Sequence, residues 1–323
     1  MPEEILLDVQ HLKKYFNLGR RRILHAVDDV SFRIRRGETL GLVGESGCGK
    51  TTVGRTLVRL YEPDGGKILF HGEDIAAWKQ GEIRRKNLSS KMQMIFQDPY
   101  ASLNPYFTVG EIISEGLDLH RIGKSRAERN EMVYELLNRV GLHREHANRF
   151  PHEFSGGQRQ RVGIARALAL NPEFIVCDEA TSALDVSVQA QVINMLIDLR
   201  ESMGLTYLVV AHDLSLVRYI SDQVAVMYLG QLVELGSVEE VYGHPTHPYT
   251  IGLLDAVPVA DPDYEAAHVS RVMQGDIGSP VNPRPACRFA GRCPYATEEC
   301  RNQNPELRNL GGDHWAACFH PVG

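Results

Sequence analysis

The sequence predicts an α/β fold: a mainly parallel sheet with helices between its strands, a helical insert and a C-terminal extension. Three observations predict it. An apolar strand, Leu40 to Val43, runs into the turn Gly44-Glu-Ser-Gly-Cys-Gly49-Lys50-Thr51, and an apolar-periodic helix follows. A second apolar strand, Phe174 to Cys177, delivers Asp178 and Glu179 at its C-terminal end. From residue 156 to about 240 strand-like and helix-like runs alternate again.

The 323 residues exceed one average domain, and 43% hydrophobic with 24% charged residues is the balance of a globular protein that buries a core. A formal net charge of −6 argues against a general nucleic-acid binder. No run approaches the roughly 18 apolar residues needed to cross a bilayer. The start, MPEEILLDVQ, is acidic and lacks the basic and apolar regions of a secretory signal. A cytosolic chain is expected, in which thiols stay reduced and clustered cysteines bind metal more often than they pair.

Residues 1–97 mix the short strands LLDVQHL, VDDVSFRI and GKILFHG with the helix after the glycine-rich turn. The glycines let backbone N–H groups curl around phosphate oxygens, and the helix points its positive end at them. Lys50 is placed to reach the β- and γ-phosphates and the Thr51 hydroxyl to ligate Mg²⁺. Cys48 is expected to be a small filler. Residues 98–155 turn helical: in SRAERNEMVYELLNRVGL, Met132, Val133, Leu136, Leu137 and Val140 share a face that ends near Gly141. FSGGQRQR follows, with Ser155 as an N-cap and Gly156 and Gly157 allowing close approach to an anion. A second anion-binding helix end on this chain makes sense if it serves a nucleotide held by another subunit. At the second strand's end Asp178 is placed in the Mg²⁺ shell and Glu179 to polarise a water, whereas Cys177 faces the core. The helix from Val186 to Met203 presents Val188, Val192, Leu196, Leu199 and Met203, and Gly204 closes it.

In this order the motifs resemble those of ATP-binding-cassette (ABC) ATPases over roughly residues 5–240. The resemblance implies a catalytic core at 1–97 and 156–240, including an antiparallel β subdomain, and a helical subdomain at 98–155. It implies ATP binding by the phosphate loop (Gly44, Ser46, Gly47, Gly49, Lys50, Thr51 and Thr52), with Mg²⁺ on Thr51, Gln97 and Asp178. Gln97 in IFQDPYASLNP also senses the membrane partner, and Glu179 and His212 of LVVAHD act in catalysis. Phe16 is the adenine-stacking aromatic, with Tyr15 in reserve. The signature is Phe154 to Gln158 (Ser155, Gly156, Gly157), with Phe154 where many members have Leu, and SALD, Ser182 to Asp185, is the intersubunit loop. Two such subunits sandwich two MgATP molecules. The single cassette disfavours the two-cassette relatives, and the short insert disfavours those with long coiled coils.

From VYGHPTHPYTIGLLDAVP (241–258) the pattern changes. Pro245, Pro248 and Pro258 punctuate it, His244 and His247 are expected in turns, and the acidic VADPDYEAAH follows. This extension, 241–323, is similar to that of ATPases from peptide and nickel importers. With NPYFTVGEII and HEFSGGQRQRVGIARALAL, the chain is most similar to the second ATPase of oligopeptide and dipeptide importers. The resemblance implies a second, homologous ATPase subunit, two membrane permease subunits, an extracytoplasmic binding protein, and a peripheral place on the cytoplasmic face of the inner membrane. Peptide uptake is the expected function. The alternatives are an importer of nickel or another small solute, a soluble ABC ATPase of the iron–sulfur assembly type, and a metal-binding regulatory module.

The tail reads Cys287-x5-Cys293-x6-Cys300-x17-Cys318, with no C-x2-C knuckle. Such gaps suit the wider frame of a 4Fe–4S cluster, zinc tolerates them too, and free thiols or disulfides are the remaining alternative. Relatives with this tail are associated with a cluster. Pro283, Pro285, Pro294 and Pro321 stiffen loops of little apolar content, so a bound metal would supply folding energy.

Overall fold

The computed structural model describes residues 4–182, 184–257 and 275–322. Ala183 of the SALD segment, Pro258 and the acidic stretch at 259–268 lie outside the described residues. The chain forms two compact units, residues 1–77 with 209–323, and residues 78–208.

The first unit holds an antiparallel sheet in the order Ile23–Arg35, Ile5–Asn17, Gly65–Phe70, Glu73–Asp74. Alternation decides its inner face: Val30, Phe32 and Ile34 are buried on one strand, Leu7 and Val9 on its neighbour. The unit also holds the strand that feeds the phosphate loop, Thr39–Val43, which runs parallel to Gln223–Tyr228. Thr39–Val43 is buried at every position, as a strand covered on both faces must be. Gln231–Ser237 pairs antiparallel with Gln223–Tyr228 and, on its other edge, with His314–Ala316 of a C-terminal hairpin. The tail thus adds strands to the sheet that carries the loop.

A buried carboxylate fastens this junction. Glu234, with no solvent exposure, accepts from the backbone N–H of Thr246 (2.8 Å) and His247 (2.9 Å) and from the Thr246 hydroxyl (3.0 Å). The His314 imidazole on the hairpin adds a fourth contact at 2.8 Å. His247 in turn caps the helix Pro248–Asp255, its Nδ1 accepting from the Tyr249 N–H. Burial holds the His247 imidazole neutral, its pKa pushed down to about 3.

In the second unit the strand Met92–Ile95 runs parallel to Phe174–Asp178. The unit also holds the helices Val109–Leu119, Arg126–Arg139, Gly156–Leu168 and Val186–Met203, each opened by a side-chain cap: Thr108, Ser125, Ser155 and Asp185. In the second of these, Val133 and Leu137 are buried, with Val140 just beyond, and Met132 and Leu136 half-buried. Gly141 follows at φ 71°, a left-handed stop. Among the described residues no helix is long and apolar enough to cross a membrane.

Glu234→Ala removes the buried acceptor for four donors. The expected loss is about 3 kcal/mol or more of unfolding free energy, read from urea denaturation, with Glu234→Gln recovering part of it.

Candidate active site

In the first unit the strand Thr39–Val43 ends at Gly44, and the helix Lys50–Leu57 begins after Gly49. Gly44, Gly47 and Gly49 have φ of 150°, 77° and 112°, so the turn needs left-handed or open conformations that glycine adopts at low cost. No side-chain hydrogen bond caps the helix at Gly49, and a helix N-terminus is the end that attracts an anion. Lys50 is buried, its ammonium donating to the carbonyl oxygens of Gly44 (2.7 Å) and Glu45 (3.0 Å). The Cys48 thiol lies 3.7 Å from the same ammonium, and burial raises its pKa. Ser46 and Gly47 are exposed at the turn's tip, and Thr51 and Thr52 are half-buried in the first helical turn.

The aromatic residues of the first unit divide their roles. The Tyr15 hydroxyl donates to Asp28, and its ring lies 4.2 Å from the His25 ring. Phe16 is half-buried, with Tyr61 edge-on at 5.5 Å and the Lys14 ammonium 5.4 Å from its ring centre. Tyr15 is thus held by its hydroxyl, whereas the Phe16 contacts are to its ring. His212 is exposed one residue beyond Ala211, whose N–H donates to the Leu42 carbonyl. That bond puts His212 at the end of the sheet where the phosphate loop begins.

The second unit carries the acids. Asp178 ends its strand fully buried, and Glu179 follows at φ 45°, a left-handed conformation that costs a non-glycine residue free energy. The Gln97 amide donates to the Glu179 carboxylate at 2.6 Å, which leaves the amide oxygen for another partner. Ser182 closes the turn by donating its N–H (3.1 Å) and hydroxyl (3.0 Å) to the Glu179 carbonyl.

In the same unit Ser155 and Gln158 form a capping box. The Gln158 N–H donates to the Ser155 hydroxyl at 3.3 Å, and the Ser155 N–H to the Gln158 side chain at 3.0 Å. Phe154 is buried, edge-on to His146 at 5.4 Å. A Cβ on Gly157 would lie 2.4 Å from Val188, whereas one on Gly156 would make only an ordinary contact with Leu184 at 3.5 Å. Asp185 caps the helix it precedes, accepting from the Ser187 hydroxyl (2.7 Å) and the Val188 N–H (3.0 Å), bonds that lower its pKa.

Cys287, Cys293, Cys300 and Cys318 all line one cavity, with Phe289, His247 and His320. None of the four is in a disulfide. Among the described residues no group of three or more His, Cys, Asp or Glu side chains is set to hold a metal ion. Burial raises the pKa of Cys287, to about 11, and of Cys293 and Cys318, with the neighbouring thiols adding to it. Sequence reasoning passed over Glu45, Tyr249 and Arg292, which the structure joins to the phosphate loop. The signal available was a carboxylate, Glu45, inside a turn built for anions.

The family described as ABC transporter matches residues 27–182, and that described as oligopeptide/dipeptide transporter, C-terminal region, matches 233–300. The oligopeptide transport ATP-binding protein OppF of Bacillus subtilis is 60% identical over 269 residues, 82% of this chain and 87% of that protein. The oligopeptide transport ATP-binding protein AppF of the same organism is 52% identical over 98% of this chain and 97% of its own length. A putative peptide import ATP-binding protein of Brucella ovis is 51% identical over 99% of both chains. Among solved structures, the ATP-binding cassette MJ0796, a dimer in a post-hydrolysis state with ADP and Pi, superposes with a TM-score of 0.66 at 30% identity. That match covers 72% of this chain and 98% of the cassette.

The contact at Gly157 has a measurable consequence. Gly157→Ala should push the first turn of the Val186–Met203 helix away and lower stability by about 1–3 kcal/mol, while Gly156→Ala should cost less than half as much in the same denaturation assay.

Proposed function

We propose a function for a chain that belongs to the ABC transporter family: it is the ATP-hydrolysing subunit of an importer for peptides. The observation that carries the catalytic part is Glu179, in a left-handed conformation at the end of a buried strand and held at 2.6 Å by Gln97. A carboxylate so fixed accepts a proton from the water that attacks the γ-phosphate, and His212 contacts that phosphate. Lys50, the loop amides and Phe16 bind the nucleotide. Thr51, Gln97 and Asp178 are all oxygen donors, the set Mg²⁺ prefers, and they would hold the ion that neutralises phosphate charge.

The signature Ser155 to Gln158 and Asp185 face the nucleotide of a second, homologous ATPase subunit in this reading, so that ATP drives closure and hydrolysis permits reopening. Two permease subunits, contacted beside Gln97, convert that motion into transport of a solute delivered by an extracytoplasmic binding protein. The chain works at the cytoplasmic face of the inner membrane. The names of the relatives, all peptide or oligopeptide transport proteins, support peptides over nickel as the cargo.

In this reading Cys287, Cys293, Cys300 and Cys318 of the extension, 241–323, would hold a 4Fe–4S cluster, for which the thiols would have to close in from the positions they take in the structure. The support is chemical: four thiols and no carboxylate line one cavity, a donor set for iron–sulfur clusters or zinc. Binding would require the thiols to lose protons, which the raised pKa values of Cys287, Cys293 and Cys318 oppose until metal arrives.

Glu179→Gln should keep MgATP affinity within about threefold while turnover falls by about 10²-fold or more. Turnover at the wild-type rate would remove Glu179 from the role. Lys50→Ala should instead weaken MgATP binding itself in an equilibrium titration. For the extension, anaerobically purified chain should contain about four irons and four sulfides with a broad absorbance near 400 nm. Stoichiometric zinc without colour would replace the cluster by a structural zinc site.

A further inference from the structure

Glu45, the second residue of the phosphate loop, is held through three different groups. Its carbonyl accepts from Lys50 at 3.0 Å. Its backbone N–H donates to the Tyr249 hydroxyl at 2.9 Å. Its carboxylate takes Arg292 Nη1 on both oxygens, at 3.0 and 2.8 Å. The last two partners belong to the C-terminal segment, more than two hundred residues along the chain. Arg292 is 8% exposed and Glu45 23% exposed, so the pair is shielded from solvent and salt. Both partners are themselves anchored. Tyr249 is fully buried with its ring 4.6 Å from Tyr228 and 5.4 Å from Phe289, and the Arg292 guanidinium lies 6.0 Å from the Phe289 ring.

The chemistry of the loop gives this grip a purpose. An unpaired carboxylate one residue inside a turn that binds polyphosphate would repel the ligand across a few ångströms. Arg292 cancels that charge, and Tyr249 fixes the peptide plane that opens the turn. The same segment reaches the strand of the adenine-stacking ring: Arg288 donates to Asp28, which also takes the Tyr15 hydroxyl next to Phe16.

We propose that the C-terminal segment is a positioning element of the nucleotide site, in which Arg292 and Tyr249 hold and neutralise Glu45 and thereby set the affinity for MgATP. The proposal rests on the reading of the loop as an ATP site. Arg292 acts through Glu45, so its removal should change ATP affinity rather than the chemical step.

The test is equilibrium binding of Mg²⁺ with a non-hydrolysable ATP analogue to the full chain, with thermal unfolding measured in parallel. Arg292→Gln should raise Kd about tenfold or more, the scale of one lost charge-assisted hydrogen bond. Arg292→Lys should restore part of the loss. In the assembled transporter, KM for ATP should rise with kcat within about twofold, as expected when only binding changes. The decisive variant is Glu45→Gln added to Arg292→Gln: removing the exposed carboxylate should recover most of the affinity, a coupling that general destabilisation does not produce. Tyr249→Phe should weaken binding less than Arg292→Gln. Arg308→Ala, which loses only a bond to the Cys318 carbonyl in the same segment, should leave Kd within twofold. If the wild type binds no nucleotide, the ATPase reading fails. If it binds, and Arg292→Gln binds equally well or Glu45→Gln gives no recovery, the positioning role is overturned and the ATPase reading stands.

Discussion

A Cβ on Gly49 would lie 2.0 Å from the Ala26 carbonyl oxygen, and one on Gly44 would lie 2.1 Å from that of Met227. The phosphate loop is therefore clasped by the backbones of two strands, Ile23–Arg35 and Gln223–Tyr228. This close approach fixes the loop's conformation before any ligand arrives, and a fixed loop loses little further freedom on binding. Much else in the first unit follows from it. The strand Thr39–Val43 must be buried on both faces to aim the loop, and Met227 must sit in register beside Gly44, which the pairing of Val43 with Val226 secures.

Charge is the second constraint. A site for a polyanion works by presenting donors, yet the chain places Glu45 within the donor turn. The conflict is resolved by reach across the chain: Arg292 supplies the missing charge, and the segment that carries it is pinned to the same sheet by the hairpin strand His314–Ala316 and by Glu234. Four donors on one buried carboxylate make Glu234 the fastening on which the placement of Thr246, His247 and, through the helix they open, Tyr249 depends. The phosphate loop and the tail are in this sense one construction, although residues 45 and 292 are far apart in sequence.

The parts of the site that chemistry dictates locally were legible. Gly44 to Thr51 needs glycines at fixed positions whatever surrounds it, Ser155 caps its helix by a rule of adjacent residues, and the buried strand ending in Asp178 announces itself by four apolar residues before the acid. The helix bearing Val133 and Leu137 was visible in its period. Contacts made by distant residues were not. Nothing in the composition of CRFAGRC distinguishes Arg288 and Arg292 from ordinary surface arginines, since their burial comes from Asp28 and Glu45 in other elements. His247 carried a similar ambiguity: a histidine before Pro248 suggests a turn, and only the helix it caps and the Glu234 carboxylate below it show why it is buried.

The four thiols take their place from the same logic. Cys287 and Cys293 stand at the two ends of the segment that contains Arg288, Phe289 and Arg292. Phe289 sinks into the cluster of Val43, Val226, Tyr228 and Tyr249, and the two thiols pack against that cluster's edge. The backbone closes the segment as well: the Cys287 carbonyl takes the Ala290 N–H, while the Cys287 N–H donates to the Cys300 carbonyl at 2.9 Å. A guanidinium can neutralise a carboxylate only if its backbone is held to within hydrogen-bond tolerance, and the side chain of arginine is too flexible to supply that precision alone. Whatever stiffens the cysteine segment therefore stiffens the grip on Glu45. The thiols do so as small hydrophobes, Cys300 buried and the other three partly buried. The output of that stiffening is mechanical: it fixes the distance between Arg292 and the Glu45 carboxylate of the phosphate loop.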